Sequence, residues 1–158
     1  MLSNLYADTR SSVLFLSRLP MSHSTHAVPQ FDRSATTFAL AGLIIGLPSA
    51  AIVVLGSFLQ MPVWVVVIIA VAAMVLVTGA LHEDGLADTA DGFWGGFDVQ
   101  RRLEIMRDSH IGTYGVLTLI LCLALRLTLY VEVYTAFNGI ACAAIMLSAA
   151  SVSRAAML

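Results

Sequence analysis

The stretch LHEDGLADTADGFWGG at residues 81–96 gathers His82, Glu83, Asp84, Asp88 and Asp91 within ten positions. On a helix, Asp84, Asp88 and Asp91 stand at i, i+4 and i+7 and stack on one face. Three carboxylates so placed repel one another and resist ionisation unless a cation joins them. Oxygen-only ligands select hard divalent ions, so Mg²⁺ is the expected counter-charge. Mg²⁺ keeps several waters and normally binds a few carboxylates plus substrate phosphates, which predicts a phosphate-bearing ligand. A pair of such ions would clamp the attacking and leaving oxygens of a phosphoryl transfer. Arg101, Arg102 and Arg107 follow on the same stretch, where guanidinium forks suit phosphate oxygens. Other metal chemistries fail on spacing: His82-Glu83 lacks the second histidine of H-E-x-x-H, and the aspartates do not alternate as in an EF-hand loop. Gly92, Gly95 and Gly96 make no dinucleotide fingerprint and instead allow a sharp turn or a close approach to a ligand.

The elements that must carry this cluster are membrane helices. Of the 158 residues 59% are hydrophobic and only 11% charged, against about 25% charged in soluble domains. Four stretches, roughly 35–59, 61–81, 113–134 and 138–158, are apolar enough to cross a bilayer, which takes about 20 helical residues. There is no lysine, and the eight basic residues are all arginines. Arg10, Arg18 and Arg33 precede the first span, Arg101, Arg102 and Arg107 lie between the second and third, and the connections near Gln60 and Asn138 carry none. The positive-inside rule therefore places the N-terminus and the 82–112 segment in the cytoplasm. The expected organisation is an all-α, polytopic membrane bundle: a cytoplasmic start and linker over 1–34, then a membrane domain over 35–158 with a catalytic segment at 82–112. A net charge of −2 gives no footprint for nucleic acid.

The start of the chain lacks the cleavage site of a signal peptide and reads as an amphipathic helix lying on the membrane or packing on the bundle. PMSHSTHAVPQF is a linker, in which His23 and His26 are too few to make a metal site. Cys122 and Cys142 fall inside spans and read as small hydrophobes. Gly42 and Gly46 form a small-xxx-small packing pair, and Pro48 suggests a kink. Arg126 sits about 20 Å into the third span by helical rise. So deep a charge must face a buried partner, a wet cavity or an anionic substrate.

An acidic run in a soluble protein is usually a solvated face. Here seven of the ten acidic residues fall between 83 and 108, in a chain that carries charge almost nowhere else, which favours a site. HEDGLADTADGFWGG followed by RRLEIMRDSHIGTYG at 101–115, with FLSRLP at 15–20, resembles the cobalamin synthase family, the adenosylcobinamide-GDP ribazoletransferases of vitamin B12 assembly. The resemblance covers essentially the whole chain. It implies an integral enzyme of the cytoplasmic (inner) membrane that joins adenosylcobinamide-GDP and α-ribazole, or its 5′-phosphate, with Mg²⁺, releasing GMP in the last assembly step. It implies Asp84, Asp88 and Asp91 as metal ligands, Glu83, His82 or a metal-free aspartate as the base, and Arg101, Arg107, Asp108, Ser109 and His110 at the substrate. Position 110 is His where the family pattern leads one to expect Arg, which makes a phosphate contact there pH-dependent. The resemblance also implies further spans beyond Leu158.

Among other enzymes, spaced aspartates partly echo the CDP-alcohol phosphotransferases, and Asp84-x-x-x-Asp88 echoes intramembrane prenyltransferases. Neither echo explains the block at 101–115. A transporter would distribute ionisable residues at mid-depth over several spans, and only Arg126 clearly sits there. A non-catalytic scaffold would tolerate Asp88→Asn. Association into a homo-oligomer is left open by the sequence.

Overall fold

The computed structural model describes residues 2–20 and 34–157, and every regular element among them is a helix. In chain order these are α1 (Leu2–Leu16), α2 (Ser34–Phe58), α3 (Val63–Thr78), α4 (Leu81–Gly95), α5 (Val99–Arg107), α6 (Thr113–Ala136) and α7 (Gly139–Ala155). The linker histidines His23 and His26 lie outside the described residues. By length and apolar composition, Thr36–Phe58 and Thr113–Ala136 are each able to cross a membrane, and α3 with α4 would add a third if the broken pair counts as one span. The protein is thus an all-helical membrane protein. The apolar stretch at 138–158 yields an apolar helix of 17 residues.

The chain divides into two compact units, Met1–Gly79 with Tyr130–Leu158, and Ala80–Leu129. In the first unit α2 is the shared partner of α7, α3 and α1, with α7 the most extensive. Small residues set that contact. A Cβ on Gly42 would collide with the backbone of Ala150 and Ser151, and one on Gly46 would press on Leu147 and Ala150. The Ser151 hydroxyl donates to the Ala39 carbonyl at 3.1 Å. Close approach through small residues is how helices associate where lipid removes the usual hydrophobic drive. Gly42→Val is accordingly expected to destabilise the protein by about 1–3 kcal/mol through overpacking; a lowered unfolding midpoint in detergent would show it. Pro48 lies inside α2 without ending it.

The start of the chain packs on this bundle. Val13 and Leu16 of α1 are buried with Phe38, Ala41 and Ile45 of α2, supported by Leu19, Met74 and Val77, and Ser12 donates to the Thr37 hydroxyl at 3.2 Å. Beyond α1, the Arg18 backbone N–H donates to the Val77 carbonyl at 2.8 Å. The Arg18 side chain lies across Gly79, filling the space a Cβ there would need.

That contact sits where the second apolar stretch ends. The 61–81 stretch does not run on as one helix into the acidic cluster, because α3 stops at Thr78. Gly79 takes a left-handed φ of 63° and its N–H bonds back to the Val75 and Leu76 carbonyls. Such a left-handed residue is an ordinary helix C-cap for glycine. Ala80 follows at φ 61°, a region that costs a residue with a Cβ about 1–2 kcal/mol. The two left-handed residues end one helix and start another, so the acidic cluster has a helix of its own.

Candidate active site

The site residues lie in the second unit, on α4, α5 and the start of α6. Helix α4 buries Ala87, Ala90, Asp91 and Gly92, a small-residue face that lets α5 pack closely against it. A Cβ on Gly92 would meet Met106 of α5 at 2.7 Å. Along the predicted aspartate face exposure falls step by step: Asp84 is exposed, Asp88 half-buried and Asp91 only 8% exposed. Glu83 and Asp84 occupy the first turn of α4, where the positive end of the helix dipole favours carboxylates. Asp88 receives no such help. Loss of water, followed by the negative charges of Asp84 and then Asp91, pushes its carboxyl above the ordinary range.

Asp91 is employed differently from its two neighbours. The Gly112 N–H donates to its Oδ2 at 2.7 Å and the Gly115 N–H to its Oδ1 at 2.9 Å. Val116 N–H donates to the Gly112 carbonyl at 3.1 Å, so Gly112 is the residue that caps α6, and it has no side chain with which to do so. Asp91 supplies the missing acceptor from α4, serving both the capping residue and the third residue of the helix, the two N–H groups that a capping box satisfies locally. The glycines are required for the approach, because a Cβ on either Gly112 or Gly115 would strike the Asp91 carboxylate.

Glu83 is also committed. Arg126 Nη1 of α6 donates to its Oε1 at 3.0 Å, with the Glu83 side chain 14% exposed. The deep arginine therefore has a protein partner. Of the predicted phosphate-binding arginines, Arg101 pairs with Glu104 at 3.1 Å, an exposed contact of little energetic weight that a ligand can displace. Arg102 is held in place: its Nε donates to the Gly96 carbonyl at 3.0 Å and its guanidinium lies 5.0 Å above the Phe93 ring centroid. Arg107 ends α5 and is exposed, as are Asp108, Ser109 and His110 after it. Asp98 caps α5 by accepting from the Arg101 N–H at 2.9 Å.

In the connecting turn, His110 Nδ1 lies 2.6 Å from Asp108 Oδ1, and the His110 N–H donates to the same oxygen at 3.1 Å. The hydrogen bond between the side chains, joined by that backbone bond, holds the Asp108 carboxyl below its ordinary range. The same side-chain bond, followed by the Asp108 charge, raises the His110 imidazole. The pair thus favours a protonated His110 beside an ionised Asp108. Asp108→Asn is expected to move the His110 titration to lower pH, read directly from its imidazole proton resonances. Beside the turn is a cavity of about 260 Å³ lined by Asp91, Gly95, Ile105, Asp108, His110, Gly112, Thr113 and Tyr114. It is smaller than pockets that enclose a whole drug-sized ligand, roughly 300–1,000 Å³, and admits part of a larger one.

Among the described residues no three His, Cys, Asp or Glu side chains converge on a point that would hold a metal by themselves. A cage made by protein alone is therefore not what this site offers. Asp84 and Asp88, one turn apart and facing the same way, fit the other mode, in which Mg²⁺ takes one or two carboxylates and completes its shell with phosphate and water. The mutual repulsion felt by Asp88 is the kind a cation relieves.

Residues 8–158 match the family model described as cobalamin-5-phosphate synthase. The chain is 46% identical over 158 residues to the adenosylcobinamide-GDP ribazoletransferase of Azorhizobium caulinodans, covering 98% of this chain and 60% of that one. It is 44% identical over 153 residues to the protein of the same name from a Sinorhizobium species, covering 96% and 58%. The Brucella ovis protein of that name is 37% identical over 158 residues, covering 99% and 61%. The chain thus spans about 60% of the length of the curated relatives it matches. No solved structure gives a significant match. The match over nearly all its described residues, together with the all-helical architecture, shows that the chain belongs to the cobalamin-5-phosphate synthase family.

Proposed function

We propose that the protein joins adenosylcobinamide-GDP to α-ribazole, or to its 5′-phosphate, with Mg²⁺ and with release of GMP, at the cytoplasmic face of the inner membrane. Family membership supports the substrates, and the arginine distribution supports the side. The observation that carries the chemistry is the Asp84 and Asp88 pair on one helical face, beside a 108–115 segment tied to the same helix through Asp91. In the reaction the ribose hydroxyl oxygen forms a bond to the phosphorus nearer the cobinamide, the bridging bond to GMP breaks, and the hydroxyl proton passes to a base.

Asp84 and Asp88 hold the cation, which when bound to the diphosphate neutralises charge developing on departing GMP. Arg107, Ser109 and His110 contact phosphate oxygens from the 107–110 segment, and Arg101 can exchange Glu104 for a phosphate. Asp108 favours the protonated form of His110 for that contact. With one Glu83 oxygen engaged by Arg126, His82 on the same turn is the better proton acceptor. Purified protein incubated with adenosylcobinamide-GDP, α-ribazole and Mg²⁺ should release GMP. Absence of release, or release unchanged in Asp84→Asn, overturns the proposal.

A further inference from the structure

The sequence pattern groups Asp91 with Asp84 and Asp88, whereas the structure separates it from them. Its two oxygens are occupied by the Gly112 and Gly115 N–H groups at 2.7 and 2.9 Å, it is 8% exposed, and it stands at the N-terminus of a 24-residue helix whose own capping residue is glycine. We infer that Asp91 is a positioning residue: it caps α6 from α4 and thereby fixes the turn carrying Asp108, Ser109 and His110, and it is not a ligand of the cation. The activity arm of this inference rests on the function proposed above. Its structural arm does not.

The arrangement makes an unusual demand on double variants. A serine at position 112 would supply a local capping acceptor, and the backbone there does not require glycine, since its φ is outside the left-handed region. In the native protein that serine has no room, because its Cβ would strike the Asp91 carboxylate. Gly112→Ser should therefore be harmful alone and restorative in an Asp91→Ala background, a reversal of sign that only shared capping predicts.

The test uses purified protein in detergent, with three readouts. GMP release should fall about tenfold or more in Asp91→Ala, as loss of a buried cap allows, and return to within about fivefold of wild type in Asp91→Ala/Gly112→Ser. Mn²⁺ binding, followed by electron paramagnetic resonance without substrate, should stay within about twofold of wild type in both, while Asp88→Asn weakens it about tenfold or more. The Gly112 and Gly115 amide resonances should shift in Asp91→Asn. The inference is overturned if Asp91→Ala loses Mn²⁺ affinity as Asp88→Asn does, or if the added serine fails to restore activity. Should Asp91→Ala fail to fold, recovery of folding by Gly112→Ser supports capping and its absence rejects it. If Asp88→Asn itself binds Mn²⁺ normally, the metal assignment proposed above fails, and the amide shifts and the rescue still decide the role of Asp91.

Discussion

Asp88→Asn is expected to lower Mg²⁺-dependent GMP release at least about a hundredfold, because it removes charge from the place where the transition state needs it. The same substitution should leave the metal-free protein as stable as wild type at neutral pH, or more so. Asp88 is half-buried and repelled by Asp84 and Asp91, and its carboxyl holds its proton to higher pH in the folded chain than in the unfolded one. Between the ordinary carboxylate pKa and that raised value the folded state binds more protons. Stability therefore falls as pH rises through this window and stays low above it. The asparagine variant has no such dependence at this position. Unfolding midpoints measured in chelator across that window should converge at the acid end and separate toward neutrality, with wild type below the variant. Added Mg²⁺ should then raise the wild-type midpoint and leave the variant's nearly unchanged. A variant that keeps wild-type activity, or that loses stability at neutral pH, contradicts the reading of Asp88 as a charge held for a cation.

The helical class and the shared helix of the candidate aspartates were legible because their signals are local. Long runs without charge announce membrane helices, and an i, i+4, i+7 spacing announces a shared face. What was not legible depends on residues far apart in the chain. The stop at Thr78 requires Ala80 in a left-handed conformation, which nothing about alanine foretells, and an Arg18 side chain lying over Gly79. Periodicity could rank Asp84, Asp88 and Asp91 only as equals. Their difference comes from N–H groups 21 and 24 residues further along. The spacing of Gly112 and Gly115, one at the cap and one at the third residue of α6, was the available hint, since two glycines at those positions leave room for a side chain from elsewhere. For Arg126 the sequence posed a choice between a buried partner and an anion without supplying the answer. Its partner lies 43 residues away.

Breaking that pair from either side should have unequal consequences. Arg126→Leu leaves the Glu83 carboxylate, only 14% exposed, without its cation, and is expected to destabilise the protein by about 3 kcal/mol, the low end for a broken buried pair because Arg126 itself is 39% exposed. Glu83→Gln leaves Arg126 with an uncharged acceptor at the same place and should cost less, since an amide oxygen still receives the guanidinium hydrogen bond. The double variant Glu83→Gln/Arg126→Leu removes both charges and should recover most of the loss, giving a coupling energy of about 1–3 kcal/mol in a double-mutant cycle read from unfolding midpoints. Activity separates structure from chemistry. If Glu83 only fixes the first turn of α4 against α6, the double variant regains GMP release together with stability. If Glu83 takes the hydroxyl proton, every variant lacking its carboxylate stays inactive however stable it becomes, and the pH–rate profile of His82→Gln keeps its acid limb. Recovery of both in the double variant, with the acid limb lost in His82→Gln, assigns the proton to His82 and leaves Glu83 and Arg126 as the pair that sets where α4 begins.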